Sequence, residues 1–156
     1  MSVTKEQFRE ALGHFASSVT VVTANCGDRL AGITVTAFCS VSLEPPLVLV
    51  CIDKQAWLHD RLQPGAALAV NILSETQESL SRRFASSSPD QFSGIGYVLG
   101  VGGAPLLDGV LAAIECRVTE SFPGGDHTIF VVEVVATRIG EGKPLLYFRG
   151  RYHTLR

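Results

Sequence analysis

The stretch Ala31-Gly32-Ile33-Thr34-Val35-Thr36-Ala37-Phe38-Cys39-Ser40-Val41-Ser42-Leu43-Glu44-Pro45-Pro46-Leu47-Val48-Leu49-Val50-Cys51-Ile52 decides the fold. Ala31–Val35 reads as a returning strand, Ser40–Leu43 as another, and Leu47–Ile52 as a third. Proline has no N–H to give to a sheet ladder. Two in a row therefore mark Glu44-Pro45-Pro46 as a sharp connection rather than strand interior.

Upstream, Thr4 followed three residues later by Gln7 is a capping box. Phe8, Leu12 and Phe15 then form one apolar stripe of a helix. Val19–Thr23 is a β-branched run, and Asn25–Arg29 holds Gly27 and Asp28, a turn signal. Downstream, Trp57–Leu62 reads as a short helix closed by Pro64-Gly65, and Ala67–Leu73 as an apolar strand. Glu75–Phe84 has helical spacing through Leu80 and Phe84. Ser86–Gly103 is rich in Ser, Gly and Pro and reads as a long irregular loop with one short strand at Tyr97–Leu99. Its glycines lack the flanking strand and helix of a Rossmann fingerprint. Leu111–Phe122 and Thr128–Ile139 are long strands joined by Pro123-Gly124-Gly125-Asp126. Leu145–Phe148 and Tyr152–Leu155 close the chain around Gly150.

About eight strands against two or three helices emerge from this pass. The long helices of βαβ crossovers are missing, so a mainly β, antiparallel, closed or partly closed barrel with peripheral helices is expected. The 156 residues suit one domain spanning the whole chain. With 46% hydrophobic and 18% charged residues the balance is globular, and a net charge of −2 gives no footprint for nucleic acid. Cys26, Cys39, Cys51 and Cys116 form neither a C-x-x-C pair nor a zinc-ligand spacing with histidine. They read as reduced thiols mostly buried in strands, and no metal site is expected. The N-terminus has no signal-peptide apolar core, and Leu47–Ile52 is too short to span a membrane. The cytoplasm is the simplest address.

Several segments in order give a resemblance. Phe8-Arg9-Glu10-Ala11-Leu12-Gly13-His14-Phe15-Ala16 with Val19-Thr20-Val21-Val22-Thr23, then Gly32–Phe38 and Ser40–Leu47, look like the opening and the flavin-binding core of one family. Val70-Asn71-Ile72-Leu73, Ser81-Arg82-Arg83-Phe84-Ala85, Gly125-Asp126-His127-Thr128 and Tyr147-Phe148-Arg149-Gly150 follow in its order. The chain resembles the flavin-reductase-like, FMN-binding split barrel family, the reductase components of two-component monooxygenases. The resemblance implies a six-stranded split barrel, a homodimer with flavin near its interface, and hydride transfer from NADH or NADPH to FMN or FAD. It also implies a separate oxygenase that receives the reduced flavin. A flavin-binding electron carrier, or an FMN-dependent oxidase on the same barrel, would share the fold, because function lies in the site.

Site expectations follow. Thr34, Val35, Thr36, Ala37, Ser40, Val41 and Ser42 combine small and hydroxyl residues that let backbone approach a flat ring. The same alternation also suits a half-exposed strand. The turn Asp53-Lys54-Gln55-Ala56 is implied to lie near the flavin phosphate or ribityl chain, with Lys54 either a phosphate partner or a solvated lysine. Asn71, inside an apolar strand, either bonds backbone or meets the flavin edge. Arg82, Arg83 and Phe84 are implied to sit by the flavin phosphate or the adenylate arm of FAD. Arginines ending a helix also answer to its dipole. His127 is implied to position the nicotinamide cofactor, and Tyr147 packs on a cofactor ring or in the barrel wall. His14, His59 and His153 show no catalytic pattern.

Overall fold

A computed structural model describes residues 2–156. Helix α1 (Lys5–Gly13) starts at the expected capping box: the Thr4 hydroxyl accepts from Gln7 N–H, and Gln7 Oε1 accepts from Thr4 N–H. Its apolar stripe does not pack inward. No α1 residue is buried, and Phe8, Leu12 and Phe15 stand 57%, 52% and 76% exposed.

Twelve strand segments follow: β1 (Ser17–Ser18), β2 (Thr20–Asn25), β3 (Leu30–Val35), β4 (Phe38–Leu43), β5 (Pro46–Asp53), β6 (Ala67–Ile72), β7 (Tyr97–Leu99), β8 (Pro105–Leu107), β9 (Ala112–Gly124), β10 (His127–Ile139), β11 (Leu145–Phe148) and β12 (Arg151–Thr154). Two of the expected helices are corrected, and the expected short strand is found. The expected helix at Trp57–Leu62 is only a 3-10 turn, His59–Arg61. Helix α2 begins at Glu78 rather than Glu75 (Glu78–Phe84), because Gln77 at its start is spent outside the helix. Its Oε1 accepts from Ser74 N–H and its Nε2 donates to Asp108 O. The strand at Tyr97–Leu99 is present, but it is one arm of a hairpin with β8, which the loop-like composition concealed.

All pairings are antiparallel, and the main sheet runs β3-β2-β6-β9-β10-β5-β4. Its two edge strands, β3 and β4, are consecutive in the chain and joined only by Thr36 and Ala37. A flat seven-stranded sheet would hold its edges about 30 Å apart. A two-residue link bridges only about 10 Å. The sheet must therefore curl until its edges meet. That makes a barrel with one seam, where β3 and β4 diverge instead of pairing. Counting β3 and β4 as one strand bent at Thr36-Ala37 recovers the six expected strands.

Inside the barrel lie Val22, Val50, Ile52, Leu68, Val70, Cys116, Phe130 and Val132, all at most 3% exposed. Each such aliphatic side chain contributes about 1.5–3 kcal/mol of burial. A second core outside the wall gathers Val19, Val21, Leu73, Phe84, Leu107 and Leu145 under α2 and the β11–β12 hairpin. Gly32 is needed between the two: a Cβ there would stand 2.8 Å from the Phe84 ring. The cysteines are free, but only Cys116 is buried. Cys26 and Cys51 are half-buried and Cys39 is exposed on β4, against the expectation of mostly buried thiols.

Candidate functional site

The seam leaves a cleft of about 390 Å3, lined by Thr34, Val35, Thr36 and Ala37 from the β3–β4 bend, Cys51 and Asp53 from β5, and His127 from β10. Its far side is made by Val19, Ile33, Ser81, Ala85, Tyr147 and Tyr152. It runs into an apolar hollow of about 690 Å3 that shares Thr36, Ala37 and Tyr147 and is flanked by Phe8, Leu12, Phe15, Phe38 and Leu49. Both volumes lie in the range of small-ligand sites.

Each wall is held by identifiable bonds. Thr34 Oγ1 donates to Ser81 O at 2.6 Å, bracing β3 against α2. Ser81 Oγ and Tyr152 Oη are 2.8 Å apart, tying α2 to the last hairpin. Tyr147 and Tyr152, opposite each other across β11 and β12, meet edge to face with ring centres 5.3 Å apart. The turn of that hairpin uses Arg149 and Gly150, both at positive φ.

His127 opens β10 directly opposite Asp53 of β5. Its Nδ1 lies 2.7 Å from Asp126 Oδ1, which leaves Nε2 for a ligand. The His127 hydrogen bond holds the Asp126 carboxyl below its usual range. Asp53 is used locally: its Oδ1 accepts from Gln55 N–H at 2.8 Å, and Lys54 N–H donates to Asp126 O. The two turns beside the cleft are thus bonded to each other.

The model of the flavin reductase like domain matches residues 12–156.

The chain belongs to the flavin reductase like domain family.

It is 43% identical over 152 residues to the NADH-dependent FAD reductase of Streptomyces globisporus, covering 94% of this chain and 83% of that one. It is also 43% identical over 152 residues to the reductase component of 4-hydroxyphenylacetate 3-monooxygenase from Thermus thermophilus, covering 97% of both. Among solved structures, the NADH:FAD oxidoreductase SgcE6 of Streptomyces globisporus, in complex with NAD and FAD fragments, superposes with a TM-score of 0.92 at 40% identity. That match covers 100% of this chain and 97% of the other. The barrel of this flavin reductase domain is therefore of the split-barrel type of its structural neighbours.

Other sequence-predicted residues of the domain lie elsewhere. Asn71 is fully buried: Nδ2 donates to Val21 O and Thr23 Oγ1, and Oδ1 accepts from Leu107 N–H. Of its two readings, the structure gives the backbone-bonding one. The Phe84 ring is fully buried against Phe92, turned from the cleft, because Gly32 leaves room for it on the inner side. Ala56 packs against the barrel core. Ser40, Val41 and Ser42 lie along edge strand β4 beyond the cleft, where a two-residue bend has turned the chain away from it. Lys54 and Gln55 are exposed beside it.

Arg82 and Arg83 line a separate shelf of about 550 Å3 with Ser79, Ser86, Ser88 and Ser93. Arg82 is paired with Glu78 at 2.7 Å, and Arg83 Nη1 donates to Ser93 O at 2.6 Å and Gln91 O at 3.3 Å. Ser81 and Tyr152 were missed as lining residues. A signal existed for Tyr152, since a hairpin about Arg149-Gly150 puts it opposite Tyr147.

Proposed function

We propose that this flavin reductase domain is an NADH:flavin oxidoreductase whose reduced flavin is consumed by a separate monooxygenase component. The observation that carries the reading is the seam cleft, with the small Thr36-Ala37 bend facing Tyr147 and the oriented His127 at its rim. When bound there, the nicotinamide supplies a hydride and the flavin ring accepts it with a proton, two electrons passing in all. The chain's own part is to bind and orient. The Thr36-Ala37 bend lets a flat ring approach backbone closely, and Tyr147 offers an aromatic face opposite. Asp126 fixes the His127 imidazole so that Nε2 meets the nicotinamide side.

Arg82 and Arg83, on the shelf beside Ser81 and Ala85, take the flavin phosphate or the adenylate arm of FAD, with Lys54 as a further cation near the cleft. FMN and FAD are both accepted in this reading. NADH is the reductant named for the Streptomyces globisporus relative, and NADPH is its alternative.

The working form is a homodimer. The exposed Phe8, Leu12 and Phe15 stripe of α1, the hollow beside it, and Leu43, 92% exposed on edge strand β4, are apolar surface that a second copy would cover. Four unpaired thiols suit the reducing cytoplasm, and among the described residues no helix is long and apolar enough to cross a membrane.

Absorbance of the reduced nicotinamide, followed with NADH or NADPH and with FMN or FAD, tests the reading. Flavin-dependent loss of absorbance is expected. Tightly held, stoichiometric flavin without that loss would instead identify an electron carrier. Turnover of a phosphorylated pyridoxal precursor would identify an oxidase.

A further inference from the structure

His127 does not stand alone at the start of β10. Side chains alternate along a strand, so Thr128 points to the opposite face from His127 and shares that face with Phe130, which is 3% exposed. His59, from the 3-10 turn after β5, is waiting there. Its Nε2 lies 2.7 Å from Thr128 Oγ1, and its Nδ1 lies 2.7 Å from Asp60 Oδ1. Its ring meets Phe130 edge to face with centres 5.7 Å apart. The His59 side chain is only 17% exposed, whereas Asp60 is 83% exposed.

An Asp60–His59–Thr128 chain has the order of an orienting carboxylate, an imidazole and a hydroxyl. Thr128 does not line the cleft, however, so the hydroxyl has no reacting partner. What the chain of bonds does is mechanical. A carboxylate only accepts, so Asp60 places the ring proton on Nδ1, and Nε2 is left to accept from the Thr128 O–H. That bond clamps β10 at its second residue, near the β9–β10 turn, adding a side-chain tie to the ladder bonds and to the Lys54–Asp126 backbone bond that hold this strand end.

We propose that His59 is a positioning residue for the nicotinamide side of the site, acting through Thr128 on the reverse face of the strand that carries His127. The proposal rests on the reading of His127 as a nicotinamide contact. Displacement of an orienting group by a fraction of an ångström weakens a ligand contact without touching the ligand's other partners. The signature is therefore selective for one substrate.

The test is steady-state kinetics on Thr128→Val, which keeps the shape and removes the hydroxyl, Thr128→Ser, which keeps the hydroxyl, and His59→Leu. His127→Ala serves as reference, with thermal unfolding recorded for each. Thr128→Val and His59→Leu are expected to raise KM for NADH about ten-fold, with KM for flavin and kcat little changed, and Thr128→Ser to return it to within about two-fold of the parent. An unchanged KM for NADH in Thr128→Val, while His127→Ala raises it, overturns the proposal. So does an equal rise of both KM values with a fall in Tm, which would mark a merely structural bond. An unchanged KM for NADH in His127→Ala overturns the underlying reading instead. Should the variants not fold, the 15N spectrum of the histidine rings in the parent protein decides. A His59 ring protonated at Nδ1 above neutral pH is expected, and one protonated at Nε2 overturns the clamp.

Discussion

His127 and Asp53 face each other across the first rung of the β10–β5 ladder, and both open onto the cleft where the barrel fails to close. Each commits one side-chain atom to a local partner. Asp53 Oδ1 accepts from the Gln55 N–H, and His127 is oriented by its own neighbour Asp126 and keeps one nitrogen uncommitted. His127→Ala is expected to raise KM for NADH about ten-fold while leaving KM for flavin unchanged. Asp126→Asn should have a smaller effect in the same direction. The Asp126 carboxyl titrates below its ordinary value because of the His127 hydrogen bond, so the orienting charge is present at neutral pH and is lost as pH falls through that lowered value. KM for NADH measured against pH in the parent and in Asp126→Asn checks this.

The arginine shelf gives a prediction that separates the two flavins. Arg82 is held by a carboxylate and Arg83 by loop carbonyls, so each must trade a partner to meet phosphate. Replacing both by Ala is expected to weaken FAD binding about ten-fold, with a loss of salt dependence. FMN should be affected less if the adenylate arm is what the shelf holds. Fluorescence titrations at two ionic strengths read both effects, and unchanged titrations would remove the arginines from the site.

Asn71 should matter for stability and not for flavin. Its amide joins β6 to β2 and to the last residue of β8, and its removal leaves the buried Leu107 N–H and Val21 O without that partner. Asn71→Leu is expected to cost about 3 kcal/mol in denaturant unfolding, from the orphaned polar groups. The folded fraction should bind flavin as the parent does.

The thiols should react in order of burial. Cys39 is exposed and is expected to be alkylated first. Cys116 is expected to be last, because burial pushes its thiol up to about 12, with Glu115 adding to the rise. In the unfolded chain the same thiol ionises near its ordinary value of 9.0. Between those values the unfolded state binds fewer protons, so stability falls with rising pH by up to about 1.4 kcal/mol per unit. Cys116→Ala should flatten that part of the stability curve above pH 9, as measured by urea unfolding across the alkaline range.

Much of this was legible one residue at a time. The Thr4–Gln7 cap, the break at Glu44-Pro45 between β4 and β5, and the turn at Gly125-Asp126 between β9 and β10 are local chemistry, although Pro46 already opens β5 and Pro123-Gly124 extend β9. Local backbone preference acts within a few residues, so these features survive into the structure. The sequence also named the cleft residues Thr34, Val35, Thr36, Ala37, Asp53, His127 and Tyr147, through an ordered family resemblance and not through spacing alone.

What only the tertiary structure decided is which side chains share a space. Nothing local says that the bend at Thr36-Ala37 carries the chain from one edge of a sheet to the other, because barrel closure depends on all seven strands at once. Nothing local says that Phe84 turns inward, since its place depends on the missing Cβ of Gly32 more than fifty residues away. His59 carries no motif. Its role arises because closure of the barrel brings a one-turn helix against the reverse face of β10, and a 2.7 Å bond to Thr128 cannot be read from a separation of 69 residues.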